Sequence, residues 1–200
     1  MKKVRALHRF CLALFLVLWA WPARGQALPS GSVQDAEIRL IRELYSKTNE
    51  SIRLARTKSS GEVGPLYCNE VVTNRFDGSW RAVGNYSRKA AFWYSDQPEF
   101  ARYQNAPEES VLVKVEVQET AAVRSLAEEY LFDKGELVFY FRRSKAGEST
   151  PVEERFYFHG KTLLRRLGVP TDGAFEPTDS NLVLTKAKAL QKSFLATFDR

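Results

Sequence analysis

The strongest constraint on the fold is a pattern that occurs twice. Residues 128–143 read EEYLFDKGELVFYFRR and residues 153–166 read EERFYFHGKTLLRR. Each runs from an acidic pair through an aromatic-rich stretch to a glycine, then through an apolar stretch to an arginine pair. Aromatic and β-branched residues suit a pleated backbone. Gly135 and Gly160 supply the positive φ that a tight reversal needs. The two stretches therefore predict two β-hairpins of one antiparallel sheet. Placing Phe132 opposite Leu137 across DKGE pairs Tyr130 with Phe139 and Glu128 with Phe141, so Tyr130, Phe132, Leu137, Phe139 and Phe141 share a face. Leu131 then meets Val138, and Glu129 meets Tyr140, on the other face. In the second stretch Phe156 and Phe158 share a face, while Arg155, Tyr157 and His159 share the opposite one. There, His159-Gly160 resembles a two-residue turn of the Asn-Gly type. Each hairpin thus has a core side and a mixed side, as in an antiparallel sheet wet on one face.

The rest of the chain fits around that sheet. SVQDAEIRLIRELYSKTNESIRLARTK, starting at Ser32, reads as a helix, with Ser32 and Asp35 in capping-box positions. Ile38, Ile41, Leu44 with Tyr45, Thr48 and Ile52 recur at helical spacing, and Arg53, Arg56 and Lys58 crowd its last turns. From Val71 the period shortens. Asp77-Gly78 lies between two β-type runs and predicts a hairpin. KAAFWYS continues as strand, and DQPEFARYQNAPEES is a polar connection with a turn of helix. VLVKVEVQ alternates with period two, placing Val111, Val113, Val115 and Val117 on one face. After a loosely structured GVPTDGAFEPTDSN, the chain ends in a helix capped by Asp179 or Ser180, with a stripe of Leu184, Ala187, Leu190, Phe194 and Phe198. Strands in one block with helices at both ends define an α+β fold: an antiparallel meander of about seven or eight strands, with an N-terminal and a C-terminal helix covering one face. One domain is expected over residues 26–200, with the N-terminal helix in 26–60, the sheet in 68–167 and a loop and helix in 168–200.

Residues 1–25 are read separately. Lys2, Lys3, Arg5 and Arg9 precede an apolar run from Phe10 to Trp21, followed by Pro22 and Ala-Arg-Gly. This is the layout of a secretory signal peptide cleaved after Gly25, and the run is short of the roughly 20 apolar residues of a spanning helix. The mature chain is thus expected in the periplasm or outside the cell, with no transmembrane segment. Removing the leader also removes most of the apparent basicity. Residues 1–25 hold five of the 30 Lys and Arg and none of the 24 Asp and Glu, leaving 25 bases against 24 acids. Nucleic-acid binding needs concentrated positive charge and loses its support. Cys68 becomes the one cysteine of the mature chain, so no intramolecular disulfide forms, and its apolar surroundings suggest a buried, inert thiol.

The cores YLFDKGEL and FYFHGKTL resemble the Y-x-x-x-G-x-L hairpins of MORN-variant repeats, and similar hairpins in uncharacterised secreted bacterial proteins. The resemblance covers about 40 residues. It implies a binding or scaffold module rather than an enzyme.

The side-chain inventory points the same way. After the leader His159 is the one histidine, which removes any site needing two His ligands and any closed Cys/His zinc site. A Cys68–His159 pair or a serine triad through His159 lacks its flanking signature, and no G-x-S-x-G or phosphate-binding glycine motif is present. No cofactor is expected. Glu128-Glu129 and Glu153-Glu154 are acid doublets whose members point to opposite faces of a strand. What remains is surface: Glu129, Tyr140, Arg142, Arg155, Tyr157 and His159 are expected on one outward face, with Trp80 and Trp93 extending it or lying in the core. Tyr and Arg are enriched at binding hot spots. The expectation is an exported, non-catalytic binding protein of the bacterial cell envelope whose partner is an envelope protein, a peptide or a glycan. The alternatives are a secreted hydrolase with paired carboxylates, or a carrier of an apolar ligand.

Overall fold

The structure, a computed structural model, describes residues 30–58, 64–76, 78–168 and 178–199. Residues 1–29, with the expected leader, and residues 59–63, 77, 169–177 and 200 lie outside them. Helix α1 spans Ser30–Thr57, so it starts two residues before the expected cap at Ser32. Strands β1 (Tyr67–Thr73), β2 (Ser79–Trp80) and β3 (Gly84–Tyr94) follow. The polar connection holds a six-residue helix, α2 (Pro98–Tyr103), and a 3₁₀ turn over Glu108–Val111. Then come β4 (Leu112–Ala121), β5 (Arg124–Asp133), β6 (Glu136–Ala146), β7 (Val152–His159) and β8 (Thr162–Leu167), and finally α3 (Ser180–Ala196). The eight strands form one antiparallel meander in the order β1-β3-β4-β5-β6-β7-β8, with the short β2 paired to β3. The α+β class and the terminal helices are as the sequence implies.

The hairpin expected at Asp77-Gly78 is displaced. β1 pairs with β3, Tyr67 opposite Tyr94 through Thr73 opposite Arg88. The intervening β2 folds back on the start of β3 instead. Asn74 braces this loop: its Nδ2 donates to the Gly78 carbonyl at 2.7 Å and also to the Tyr86 carbonyl, and its Oδ1 accepts from Gly78 N–H at 3.2 Å. Between β5 and β6 the turn is Lys134-Gly135, both residues at positive φ (51° and 86°), with Asp133 opposite Glu136. That double positive φ is the two-residue turn matched to strand twist. Between β7 and β8 His159 pairs with Thr162, so Gly160-Lys161 forms the turn rather than His159-Gly160.

The two helices cover opposite faces of the sheet, not one. α3 packs Val183, Ala187, Leu190 and Phe194 against Phe92, Val115, Tyr130, Tyr140, Phe156 and Phe158. α1 packs Ile38 and Ile41 against Leu131, Phe139 and Tyr157, and Ile52 against Leu66 and Trp93. The reason is visible in LVFYF and RFYF: consecutive apolar residues give both faces of a strand an apolar surface, and each must be covered. Rings meet across strands, with Tyr130 and Tyr140 centroids 5.0 Å apart and Tyr140 and Phe156 5.5 Å apart. Full burial of such a side chain contributes about 1.5–3 kcal/mol.

The expected register holds at Phe132–Leu137 and then slips. Leu131 pairs with Phe139 and Tyr130 with Tyr140, leaving Val138 as an extra residue. The same one-residue bulge leaves Val113 extra between the partners of Tyr94 and Trp93, and Leu164 extra between those of Phe158 and Tyr157. All three bulges lie at the α2 end of the sheet. Each extra residue packs on the α1 side, Val138 and Leu164 beneath Ile38 and Ile41, Val113 beneath Ile52. A bulge reverses the face of every residue beyond it. Phe139 and Phe141 therefore join the α1 side, and Tyr140 joins the α3 side. Of the valines expected on one face, Val115 and Val117 keep it, Val113 is turned away, and Val111 ends the 3₁₀ turn.

Candidate functional site

The six residues expected on one outward face are divided by the sheet. Tyr140 is fully buried (0 % exposed) in the α3-side core, where its hydroxyl donates to Glu128 Oε1 at 2.7 Å. The Val138 bulge put it there. Arg142 is on the same side and donates to Glu154 Oε2 at 3.1 Å and Thr178 Oγ1 at 2.5 Å. The other four lie on the α1 side. Glu129 accepts from the Tyr45 hydroxyl at 2.7 Å. Tyr157 is buried and its hydroxyl accepts from Arg42 Nε at 3.2 Å. Arg155 lies 5.1 Å over the Phe141 ring and bonds Glu153 at 2.7 Å. His159 is exposed and pairs with Glu37. Trp93 is core, its indole N–H donating to Glu116 at 3.1 Å.

The carboxylates are clamped by counter-charges. On the α3 side Glu128, Arg142 and Glu154 face one another across β5, β6 and β7. Lys186 of α3 reaches Glu128 at 3.0 Å, and Arg166 of β8 pairs with Glu154. Burial pushes the Glu154 carboxyl up, but bonds from Thr178 and Arg166 outweigh it and hold the carboxyl below its usual range. On the α1 side Glu116 of β4 sits directly opposite Glu129 of β5. Two like charges so placed repel. Lys114, 1 % exposed, inserts its ammonium between them, 3.1 Å from Glu116 and 2.7 Å from Glu129, and donates to Asn49 Oδ1 at 2.7 Å. Arg56 adds a second cation 2.7 Å from Glu116. Burial raises Glu116, but Lys114, the Trp93 N–H and Arg56 together leave it depressed. Burial and the bond to Glu129 push the Tyr45 hydroxyl up to about 12.

A general acid needs a carboxyl held protonated near working pH. Glu116 and Glu154 are shifted the other way, and the two networks tie helices to sheet. Cys68 and His159 lie on β1 and β7 with four strands between, about 24 Å at normal strand spacing. Burial pushes the Cys68 thiol up to about 11, which keeps it protonated and unreactive.

What the fold leaves open is the β1 edge and the loop beyond it. Among the described residues β1 pairs on one side only. Val71 and Val72 on it are exposed. Its one charge, Glu70, is tied to Lys89 at 2.6 Å. The Asn74-braced loop displays Phe76, 92 % exposed, and Trp80, 47 % exposed, whose ring lies 4.9 Å from Tyr86. Val123 belongs to the same end: the turn carrying it bonds Asn85 O through Ala122 N–H at 2.7 Å, and Val123 is 74 % exposed. The opposite edge carries Arg165, paired with Asp35, and Arg166, paired with Glu154, and Gly168 lies so close to Glu153 that an added Cβ would stand 2.0 Å from its carbonyl oxygen. Sequence reasoning named Trp80 but not Phe76, whose one distinguishing signal was an aromatic residue inside a turn-forming stretch. Among the described residues no helix is long and apolar enough to cross a membrane, and no group of His, Cys, Asp or Glu is placed to hold a metal ion. No known protein family, curated protein or solved structure matches the chain.

Proposed function

We propose that the chain is an exported binding protein of the bacterial cell envelope, released from its leader after Gly25, and that it takes up an extended segment of another envelope protein along β1. One observation carries this reading: among the described residues the β1 edge is unpaired and runs toward the exposed Phe76 and Trp80. An unpaired strand edge presents a row of backbone donors and acceptors that only another extended chain satisfies. Natural edges are blunted by Lys, Pro or a covering element, whereas β1 has Val71 and Val72 exposed and Glu70 neutralised by Lys89. Exposed aromatic rings beside such an edge supply the anchor that main-chain pairing lacks. The non-enzymatic character of the reading rests on carboxylates consumed in internal ion pairs.

The test is a photo-crosslinking residue at Thr73 of the exported protein, with the linked peptide mapped by mass spectrometry. Crosslinks should map to an extended segment of another exported protein. Trp80→Ser should reduce them about tenfold, a hot-spot loss, without lowering Tm. Crosslinks to a second copy of the chain, no crosslinks, or indifference to Trp80→Ser would each overturn the proposal.

A further inference from the structure

At the other end of β1 a separate cleft of about 800 Å³ opens where β1 and β3 meet α2 and the end of α3. Its floor is a fixed chain of neutral hydrogen bonds. The Tyr94 hydroxyl donates to Asn69 Oδ1 at 3.1 Å, Asn69 Nδ2 donates to Thr197 Oγ1 at 2.8 Å, and Thr197 donates to the Phe194 carbonyl at 2.7 Å. Each element contributes one link, so the floor forms only when β1, β3 and α3 are docked. One wall is aromatic: Phe198 stands edge-on to Tyr94 at 5.4 Å, and both rings line the cleft.

The rim is polar and underused. The Gln97 and Glu99 side chains line the cleft and make no hydrogen bond with a described residue. Arg102 engages Glu108 through Nε and Nη2, both to Oε1, which leaves its Nη1 donors and Glu108 Oε2 uncommitted by that pair. Amide, carboxylate and guanidinium groups thus stand within one cleft, offering donors and acceptors side by side. The charged lining groups are Glu99, Arg102, Glu108 and Asp199, with acids in excess and no lysine. Three acids against one arginine disfavour an anionic ligand, and no group of His, Cys, Asp or Glu among the described residues is placed to hold a metal ion. An apolar ligand would leave the amide and carboxylate groups unsatisfied.

We infer that this cleft is a binding site for a neutral oligosaccharide. Each sugar hydroxyl both donates and accepts, which matches a rim of mixed planar polar groups, and the C–H face of a pyranose packs on an aromatic ring. Such a site is concave, with aromatic walls and a few placed polar groups. It is independent of strand addition at the far end of β1.

The mature protein would be titrated by calorimetry with chitotetraose, cellotetraose, maltotetraose and mannotetraose, and with a polysialic acid fragment as the anionic control. At least one neutral sugar should bind saturably below about 10 mM. Gln97→Ala combined with Glu99→Ala should weaken it at least about tenfold. Both positions are exposed, so the variant should keep the wild-type melting curve, and Trp80→Ser should leave sugar affinity unchanged. No binding by any of the four neutral sugars, stronger binding of the anionic control, or an affinity indifferent to the double substitution would overturn the inference.

Discussion

Lys114→Met isolates the most consequential charge in the molecule. Lys114 is 1 % exposed and touches Asn49, Glu116 and Glu129 at 2.7–3.1 Å. Methionine keeps the aliphatic stem and removes the ammonium. Glu116 and Glu129 then oppose each other across adjacent strands with Arg56, Trp93 and Tyr45 as remaining partners. Breaking a buried ion pair by deleting one partner costs roughly 3–5 kcal/mol. Both glutamates keep about a fifth to a quarter of their side-chain surface in water, which screens the residual repulsion, so the low end of about 3 kcal/mol applies. For a domain of this size that lowers Tm by about 6–12 °C. The loss should shrink as pH falls below the carboxylate range, because protonated glutamates no longer repel. Lys114→Met with Glu129→Gln should recover at least about 1 kcal/mol relative to additivity, since the two groups touch. Urea unfolding of both single variants and the double variant at pH 7 and pH 3 measures all of this. A loss under about 1 kcal/mol for Lys114→Met, or a double variant that is simply additive, would refute the reading of Lys114 as the clamp between two strands.

Two further outcomes follow from the same packing. Glu154 is depressed in the folded state, so its share of stability is present above the ordinary carboxyl value of 4.5 and is lost as pH falls through the folded value; Glu154→Gln should therefore be less stable at neutral pH yet flatter in stability between pH 5 and 3, as read from Tm against pH. Gly168 has φ +75° and its added Cβ would sit 2.0 Å from the Glu153 carbonyl oxygen, so Gly168→Ala should loosen the end of β8 and raise amide exchange at Leu167 and Glu153, whereas Gly147→Ala, which meets nothing within 4 Å, should carry only the backbone cost of its positive φ.

Local features of the chain were legible in the sequence because short-range physics sets them. The α1 stripe of Ile38, Ile41, Thr48 and Ile52 is buried as its spacing requires. Asp179 caps α3 by accepting from Asn181 N–H at 3.0 Å. The Lys134-Gly135 turn and the α+β meander follow from glycine placement and strand composition. The face assignments did not follow, because one extra residue on β4, β6 and β8 inverts side-chain parity, and no local signal marks Val113, Val138 or Leu164 as that residue. With apolar residues at consecutive positions, either parity buries something. Which helix covers which face, and hence that Tyr140 is core while Phe76 is surface, was decided by the packing of α1 and α3 on opposite sides of the sheet. Propensity and turn chemistry act between neighbours in the chain, whereas burial depends on groups far apart in it, and only the closed tertiary structure brings those together.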